Sequence, residues 1–349
     1  MRIVFLADQH FGWKVDSPLY LDYQEKFYRE VFFPYLDANP DIKTIIDLGD
    51  TFDNRKSVNY KTLARAKEFF FDEVHARGLN LHIIIGNHTT YHKNTNEINS
   101  PELLLQTYQH VKVYATPKVV KIHDTDFAFV PWINAENEAE SIEFIKSNRA
   151  SLLAGHLELK GYQVIRGIAS DVGYDASMFT PYDMVFTGHF HNKHDDGKIF
   201  YLGTSADMSF ADIDEIKGFH TFDLTTRKLE FIENPNKLFY RVIYDDATND
   251  YTKLPDFSKY AGAYVKLVIK KKTNPYNFER FRDALDAVNP VDVQPIDETD
   301  LVVTEDDIDQ TLDTVTIISN EIDTIKEIEK PEKLKKIMHD LYTESFDIV

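Results

Sequence analysis

The 349-residue chain contains no cysteine, and that single absence removes several chemistries. Disulfides, thiolate metal sites and a cysteine nucleophile are excluded, and a reducing or redox-indifferent compartment is the simplest setting. Any metal must then sit on His, Asp, Glu or Asn. Also missing is an uncharged apolar run of about 18 residues, and the opening MRIVFLADQH meets charge too soon for a signal peptide. A cytoplasmic protein without membrane association is expected. Positive charge is scarce: 39 Lys and Arg stand against 58 Asp and Glu, a net charge of -19. Taken alone this speaks against a polyanionic substrate, because nucleic-acid binders usually carry a basic face. The deficit is uneven, however. Asp297 to Val349 holds 16 acidic residues and 5 lysines, so 11 of the 19 excess negative charges belong to the tail. The rest is only mildly acidic, and bound divalent cations would reverse the sign locally.

What the chain does have is apolar content of 43%, with 25 Phe and 19 Tyr, which fits a globular protein rather than a disordered one. Short apolar runs at Ile3 to Ala7, Thr44 to Leu48, Leu81 to Ile85, Leu152 to Ala154 and Met184 to Thr187 read as buried strands. Tyr20 to Leu36 and Tyr60 to Arg77 show helical apolar spacing, with Gly78 where a helix stop belongs. From Val119 to Asn234 short strands dominate, including Phe127 to Val130, Phe200 to Leu202, Gly218 to Asp223 and Lys228 to Ile232, and suggest a second sheet. Tyr240 to Pro255 reads as a linker. Beyond it a strand-helix-strand unit (Ala263 to Lys270, Asn277 to Ala287, Val291 to Ile296) precedes two amphipathic helical stretches, Asp306 to Ile325 and Pro331 to Tyr342. The expected domains are 1–240, 256–300 and an acidic helical tail at 301–349. No internal repeat of solenoid or propeller period is apparent.

Five motifs fall in order, each at the carboxyl end of an apolar run: Asp8-Gln9-His10, Gly49-Asp50-Thr51-Phe52-Asp53, Gly86-Asn87-His88, Gly155-His156 and Gly188-His189-Phe190-His191. Open α/β sheets place ligands at that end of their strands. Two cations about 3.5–4 Å apart need a bridging carboxylate and several hard or borderline donors. Asp8, His10, Asp50, Asn87, His156, His189 and His191 supply carboxylate, amide and imidazole donors, a mixture suited to Mn²⁺, Fe²⁺ or Zn²⁺ and poor for Ca²⁺. Each motif alone fits an ordinary loop or a core histidine. The five together point to metal.

The order DxH, GDxxD, GNH, GH, GHxH resembles the calcineurin-like metallophosphoesterases over about residues 1–235. That resemblance implies a β-sandwich of two mixed sheets flanked by helices, an α/β fold carrying here a small α+β cap and the tail. More narrowly, GDTFDNRK, the spacing, the cap-like unit and the acidic tail look like SbcD-type nuclease subunits of DNA repair and recombination complexes, especially their phage versions. Carried over, the pattern implies that Asp8, His10, Asp50 and His191 hold one ion and that Asp50, Asn87, His156 and His189 hold the other. His88 would stabilise charge at the phosphate or protonate the leaving oxygen. The sequence departs from the family at Thr89, where Asp usually orients that histidine; Asp53 or Thr90 is the available substitute.

The resemblance implies Mn²⁺-dependent 3′-to-5′ exonuclease action on duplex ends and endonuclease action on single strands. It also implies an SbcC-type ABC ATPase partner receiving the tail helices, and a homodimer built through the first helices. Lys14, Arg55, Lys56 and Lys93 follow the motif loops and fit phosphate contacts or plain solvated surface. Lys266, Lys270, Lys271 and Lys272 form the clearest basic cluster, as a DNA-backbone contact or a charged edge strand. Leu312, Val315, Ile318, Ile322 and Ile325, three or four apart, fit a docking face or an intramolecular one. Two other functions share these residues: a small-molecule phosphatase or cyclic-nucleotide phosphodiesterase, and a DNA-end scaffold that has lost chemistry.

Overall fold

The structure, a computed structural model, describes residues 1–298 except Arg166, together with Ile322, Leu334, Lys335 and Met338. It divides into two compact units, Met1–Met208 with Glu215–Lys237, and Ser209–Asp214 with Leu238–Val349.

The larger unit is built on two six-stranded sheets. From edge to edge the first runs Leu229–Glu233, Gly218–Asp223, Arg2–Leu6, Thr44–Asp47, Asn80–Ile84, Val111–Tyr114. The second runs His194–Asp195, Ile199–Tyr201, Met184–Gly188, Leu152–His156, Thr125–Val130, Lys118–Ile122. Strand periodicity decides which residues meet which layer. Ile3, Phe5 and Ile46 share a core with Phe127, Phe129, Leu152, Ala154 and Phe186, so one face of each sheet buries the other. Val4, Leu6 and Ile45 point the opposite way into a cluster with Phe27, Tyr28, Phe32, Phe69, Phe70 and Phe71. With both faces covered, the central strands need the unbroken apolar runs seen in the sequence.

The covering helices are Pro18–Phe27, a π turn Tyr28–Phe32 and Phe33–Ala38, then Tyr60–Ala66, a π turn Lys67–Phe71 and Asp72–Ala76. Ser17 and Asn59 cap them with side-chain oxygens, and Gly78, at φ 63°, follows the second. Burying each phenylalanine of this layer contributes about 1.5–3 kcal/mol. The outcome is a rigid base from which the loops at the carboxyl ends of the strands project.

In the smaller unit the central strand Tyr264–Lys271 pairs in parallel with both Phe239–Asp245 and Asp292–Asp297. Helix Pro275–Asp286 lays Phe281 and Leu285 against Val242, Tyr244, Val265, Leu267 and Ile269.

Three expectations change. Gly218–Asp223 and Leu229–Glu233 belong to the first sheet, because Gly218–Asp223 pairs antiparallel with Arg2–Leu6. The stretch read as a linker contains most of strand Phe239–Asp245, whose alternating Val242 and Tyr244 are core residues. Tyr264–Lys271 is central, which removes the edge-strand explanation for its lysines. Of the proposed docking positions, Ile322 is described and buried, while Leu312, Val315, Ile318 and Ile325 lie outside the described residues.

Candidate metal centre

Parallel pairing between Arg2–Leu6 and Thr44–Asp47 does not stop where the strands end. Asp8 N donates to Gly49 O at 3.0 Å, His10 N to Asp50 O at 2.8 Å and Phe11 N to Thr51 O at 2.9 Å, so the first two motif loops leave the sheet side by side. Their donor residues sit in left-handed backbone, with φ 52° at Asp8, 46° at His10 and 51° at Asp50, and His189 adds a fourth at 90°. Side-chain-bearing residues adopt this region seldom, Asp and His more readily than most, and such backbone concentrates at functional sites. Glycine is required beside them: a Cβ on Gly49 would run into the His156 ring, and one on Gly86 into the Asp50 carboxylate.

All seven residues expected to bind metal meet at this rim. Asp8, His10 and His191 present donor atoms within 4.8 Å of one another, as do Asp8, Asp50 and His156. Asn87 Oδ1 lies 2.9 Å from His156 Nε2 and 3.1 Å from His189 Nδ1. His189 N donates to both Asp8 oxygens, at 3.0 and 3.1 Å, which closes the ring between the first motif and the last.

The hydrogen bonds assign the tautomers. His156 Nδ1 is 2.8 Å from Leu48 O, which can only accept, so the proton is on Nδ1 and Nε2 faces inward. There it meets Asp50 Oδ2 at 3.2 Å and Asn87 Oδ1. Three lone-pair atoms converging in a buried site require positive charge among them, either a second proton on the ring or a cation. His10 repeats the logic: Nδ1 contacts Asp53 Oδ1 at 2.9 Å, leaving Nε2 buried with no hydrogen-bond partner. A carboxylate behind a histidine is the usual support of a metal ligand. The donor set therefore fits divalent cations.

Titration behaviour agrees. Burial opposes a charge on His156, but the Asp50 carboxylate outweighs it and holds the ring up at about 9. Burial lifts Asp8 to about 6 against the pull of His156. For Asp50 the burial effect is overcome by His156 and His88, leaving it well below the ordinary carboxylate range. Burial and the neighbouring His156 push His189 down to about 3, and burial with His10 lowers His191 too, so both are neutral donors.

His88 is the ring that reaches outward: its side chain is 29% exposed, against 0% for His10 and His156. Its Nδ1 is 2.8 Å from Asp53 O, and its backbone N donates to Asp50 Oδ1 at 2.8 Å. Burial lowers its pKa. Asp53 thus supports two histidines, His10 through its carboxylate and His88 through its carbonyl. Thr89 folds back instead, its hydroxyl bonding Gly86 N at 3.2 Å and Gly86 O at 3.0 Å, and Thr90 Oγ1 donates to Asn87 O at 3.3 Å. Arg55 Nε donates to Asn87 O at 2.8 Å while its Nη1 is buried without a partner. Lys14, Lys56 and Lys93 are exposed. In the smaller unit, Lys270, Lys271 and Lys272 are exposed, and the Lys266 ammonium lies 5.2 Å from the Phe210 ring centre.

Sequence reasoning passed over the supports. Asp47 accepts from Gln9 Nε2 at 2.6 Å, Thr51 Oγ1 at 2.7 Å and Gly49 N at 3.1 Å. Buried Lys217 donates to His191 O at 2.8 Å and Asn192 Oδ1 at 3.2 Å, pinning the last loop. Trp132 sits against His189, ring centres 5.1 Å apart. A lone Asp at the end of an apolar strand was the only available signal for Asp47.

This rim, at the carboxyl ends of strands in two facing sheets, gathers the donor types of a metal-dependent phosphoesterase, and the calcineurin-like phosphoesterase family model matches residues 1–193. The chain belongs to that family. It is 31% identical over 288 residues to exonuclease subunit 1 of Enterobacteria phage T4, covering 82% of this chain and 82% of that one. Similar solved structures include a novel archaeal phosphodiesterase (16% identity, TM-score 0.34) and a hypothetical protein from Thermus thermophilus (13% identity, TM-score 0.38), each covering 67% of this chain and 100% of its own. Among the described residues no helix is long and apolar enough to cross a membrane.

Proposed function

We propose that the chain is a nuclease subunit that hydrolyses DNA phosphodiesters with two divalent cations, Mn²⁺ by preference. The observation that carries this reading is the convergence of His156 Nε2, Asp50 Oδ2 and Asn87 Oδ1 on one buried point beside the partnerless His10 Nε2. DNA as substrate draws support from the name of the phage relative, an exonuclease subunit.

Asp8, His10, Asp50 and His191 would hold one cation and Asp50, Asn87, His156 and His189 the other, with Asp50 shared. Such a pair, when bound, lowers the pKa of a water and offsets phosphate charge. The chain's own groups do the rest. Asp53 fixes the His10 ring, and the Asp53 carbonyl holds the His88 proton on Nδ1. His88 Nε2 is therefore the atom that takes up a proton and delivers it to the departing oxygen. Arg55, held to Asn87 O through its Nε, stands beside the donor cluster, where its guanidinium would meet a phosphate oxygen. Lys14, Lys56 and Lys93 extend the phosphate track, and Lys266 with Lys270, Lys271 and Lys272 contact the duplex backbone.

The finer activity is 3′-to-5′ exonuclease on duplex ends and endonuclease on single strands, within a recombination and repair assembly in the host cytoplasm. Its partners are a second copy of the chain and an ABC-type ATPase engaged by the tail at 301–349. The scaffold reading leans on Thr89 alone, and the Asp53 carbonyl supplies the support that Thr89 does not.

The test is one preparation assayed on duplex DNA ends and on an aryl phosphodiester, with and without Mn²⁺, beside an Asp50→Ala control. Metal-dependent DNA cleavage lost in the control is expected. Turnover of the aryl ester alone would favour a small-molecule enzyme, and ion binding without any turnover a scaffold.

A further inference from the structure

A cavity of about 300 Å³ opens directly beside the metal centre, lined by Trp132, Ile133, Glu138, His156, Glu158 and Tyr174 among others. Its volume lies at the small end of ligand sites, enough for one nucleoside. Trp132 is half-buried and its backbone is clamped: N donates to Ile85 O at 2.7 Å, and O accepts from Asn96 Nδ2 at 2.9 Å and Asn137 Nδ2 at 3.0 Å. The ring lies against two of the metal-type donors, 5.1 Å from the His189 ring and 6.0 Å from that of His156. Tyr174 lines the cavity too: its OH donates to Glu138 Oε1 at 3.0 Å, which fixes that carboxylate, and its N donates to the main-chain O of Glu158 at 2.9 Å.

The Glu138 carboxylate repels a phosphate, so this wall does not continue the backbone track. What it can accept is hydrogen bonds from amino groups, while a clamped indole offers a stacking face. We propose that the cavity holds the base of the nucleotide whose phosphate lies on the metal centre. In that arrangement Trp132 stacks on the base, and Glu138 accepts from the exocyclic amino group of cytosine, adenine or guanine. Thymine carries no such group and is disfavoured. Because the carboxylate addresses the pairing edge, the bound base is unpaired, as at a frayed duplex end or in a single strand. The inference rests on the nuclease reading and adds a base-dependent subsite to it.

Two measurements on the full-length chain with Mn²⁺ test it. In the first, substrates differ only at the cleaved nucleotide: cytosine, thymine or an abasic sugar. Wild type is expected to cleave the cytosine substrate about 10-fold faster than the abasic one, the scale of one stacked base. Trp132→Ala should erase that difference while Trp132→Phe keeps most of it, and Glu138→Gln should erase the preference for cytosine over thymine. A purely structural role for Trp132 would instead slow all three substrates alike. The second measurement uses a Trp13→Phe variant, which leaves Trp132 as the single indole of a chain with 2 Trp. Its fluorescence should be quenched by dCMP and not by deoxyribose 5-phosphate. Quenching without cleavage of any DNA would sink the nuclease reading and support the base pocket. Equal rates on base-bearing and abasic substrates, with no selective quenching, overturn the proposal.

Discussion

Gln9 Nε2 donates to Asp47 Oδ2 at 2.6 Å, a bond across 38 residues that ties the two loops carrying Asp8, His10 and Asp50 to one buried carboxylate. The same carboxylate holds Thr51 and Gly49, and Gln9 is held in turn by the Tyr28 hydroxyl and by Gln24. Asp47→Ala leaves those donors unpaired in the core and is expected to cost about 3 kcal/mol or more, read by urea unfolding. Burial lifts the Asp47 pKa from 3.8 to about 7, so the folded chain keeps a proton that the unfolded chain sheds. Stability from this group is full below pH 3.8 and is lost as pH rises through 7. Asp47→Asn should flatten that slope, and an unchanged slope would show that another group causes it.

Proton release should accompany metal binding. His156 is held at about 9 by Asp50 in spite of burial, and must give up its inward proton to become a ligand. Apparent metal affinity is therefore expected to rise with pH up to about 9 and then level off. Calorimetry in buffers of different ionisation enthalpy reads the proton count directly; binding with no proton exchange at pH 7 would contradict this assignment.

His88→Ala should separate chemistry from metal loading. It removes the proposed proton carrier but none of the proposed ligands, so kcat should fall by about 10²–10⁴-fold at unchanged metal affinity. An aryl leaving group, which needs no protonation, should recover most of the loss. Equal losses on DNA and on the aryl ester would place His88 in charge stabilisation instead.

In the smaller unit, replacing Lys270, Lys271 and Lys272 by Gln should weaken DNA binding at every sequence and reduce its salt dependence. The slope of log affinity against log salt should drop by about 0.9 per lost phosphate contact. Since Tyr264–Lys271 is a central strand, an unchanged slope would leave these lysines as solvated surface.

The metal-type donors were legible because each stands where an apolar strand gives way to a polar loop, and a parallel sheet brings all such loops to one end. Supports are harder to read, because they depend on distant pairings. Nothing near Asp47 signals that Gln9 will reach it, and Lys217 looks like any loop lysine until Gly218–Asp223 docks beside Arg2–Leu6. That antiparallel pairing joins the two ends of the larger unit, beyond the range of any local pattern. The stretch from Tyr240, which reads as linker, carries Arg241 and Asp245 on the strand face opposite the core residues Val242 and Tyr244, and in the structure Arg241 pairs with Asp214 at 3.1 Å.

The most direct test is anomalous diffraction from a crystal of the protein soaked in Mn²⁺. Two neighbouring peaks are expected, one within reach of Asp8, His10 and His191, the other within reach of Asn87, His156 and His189, with Asp50 touching both. A single ion or none at this rim, at Mn²⁺ concentrations that support DNA cleavage, would contradict the two-cation account.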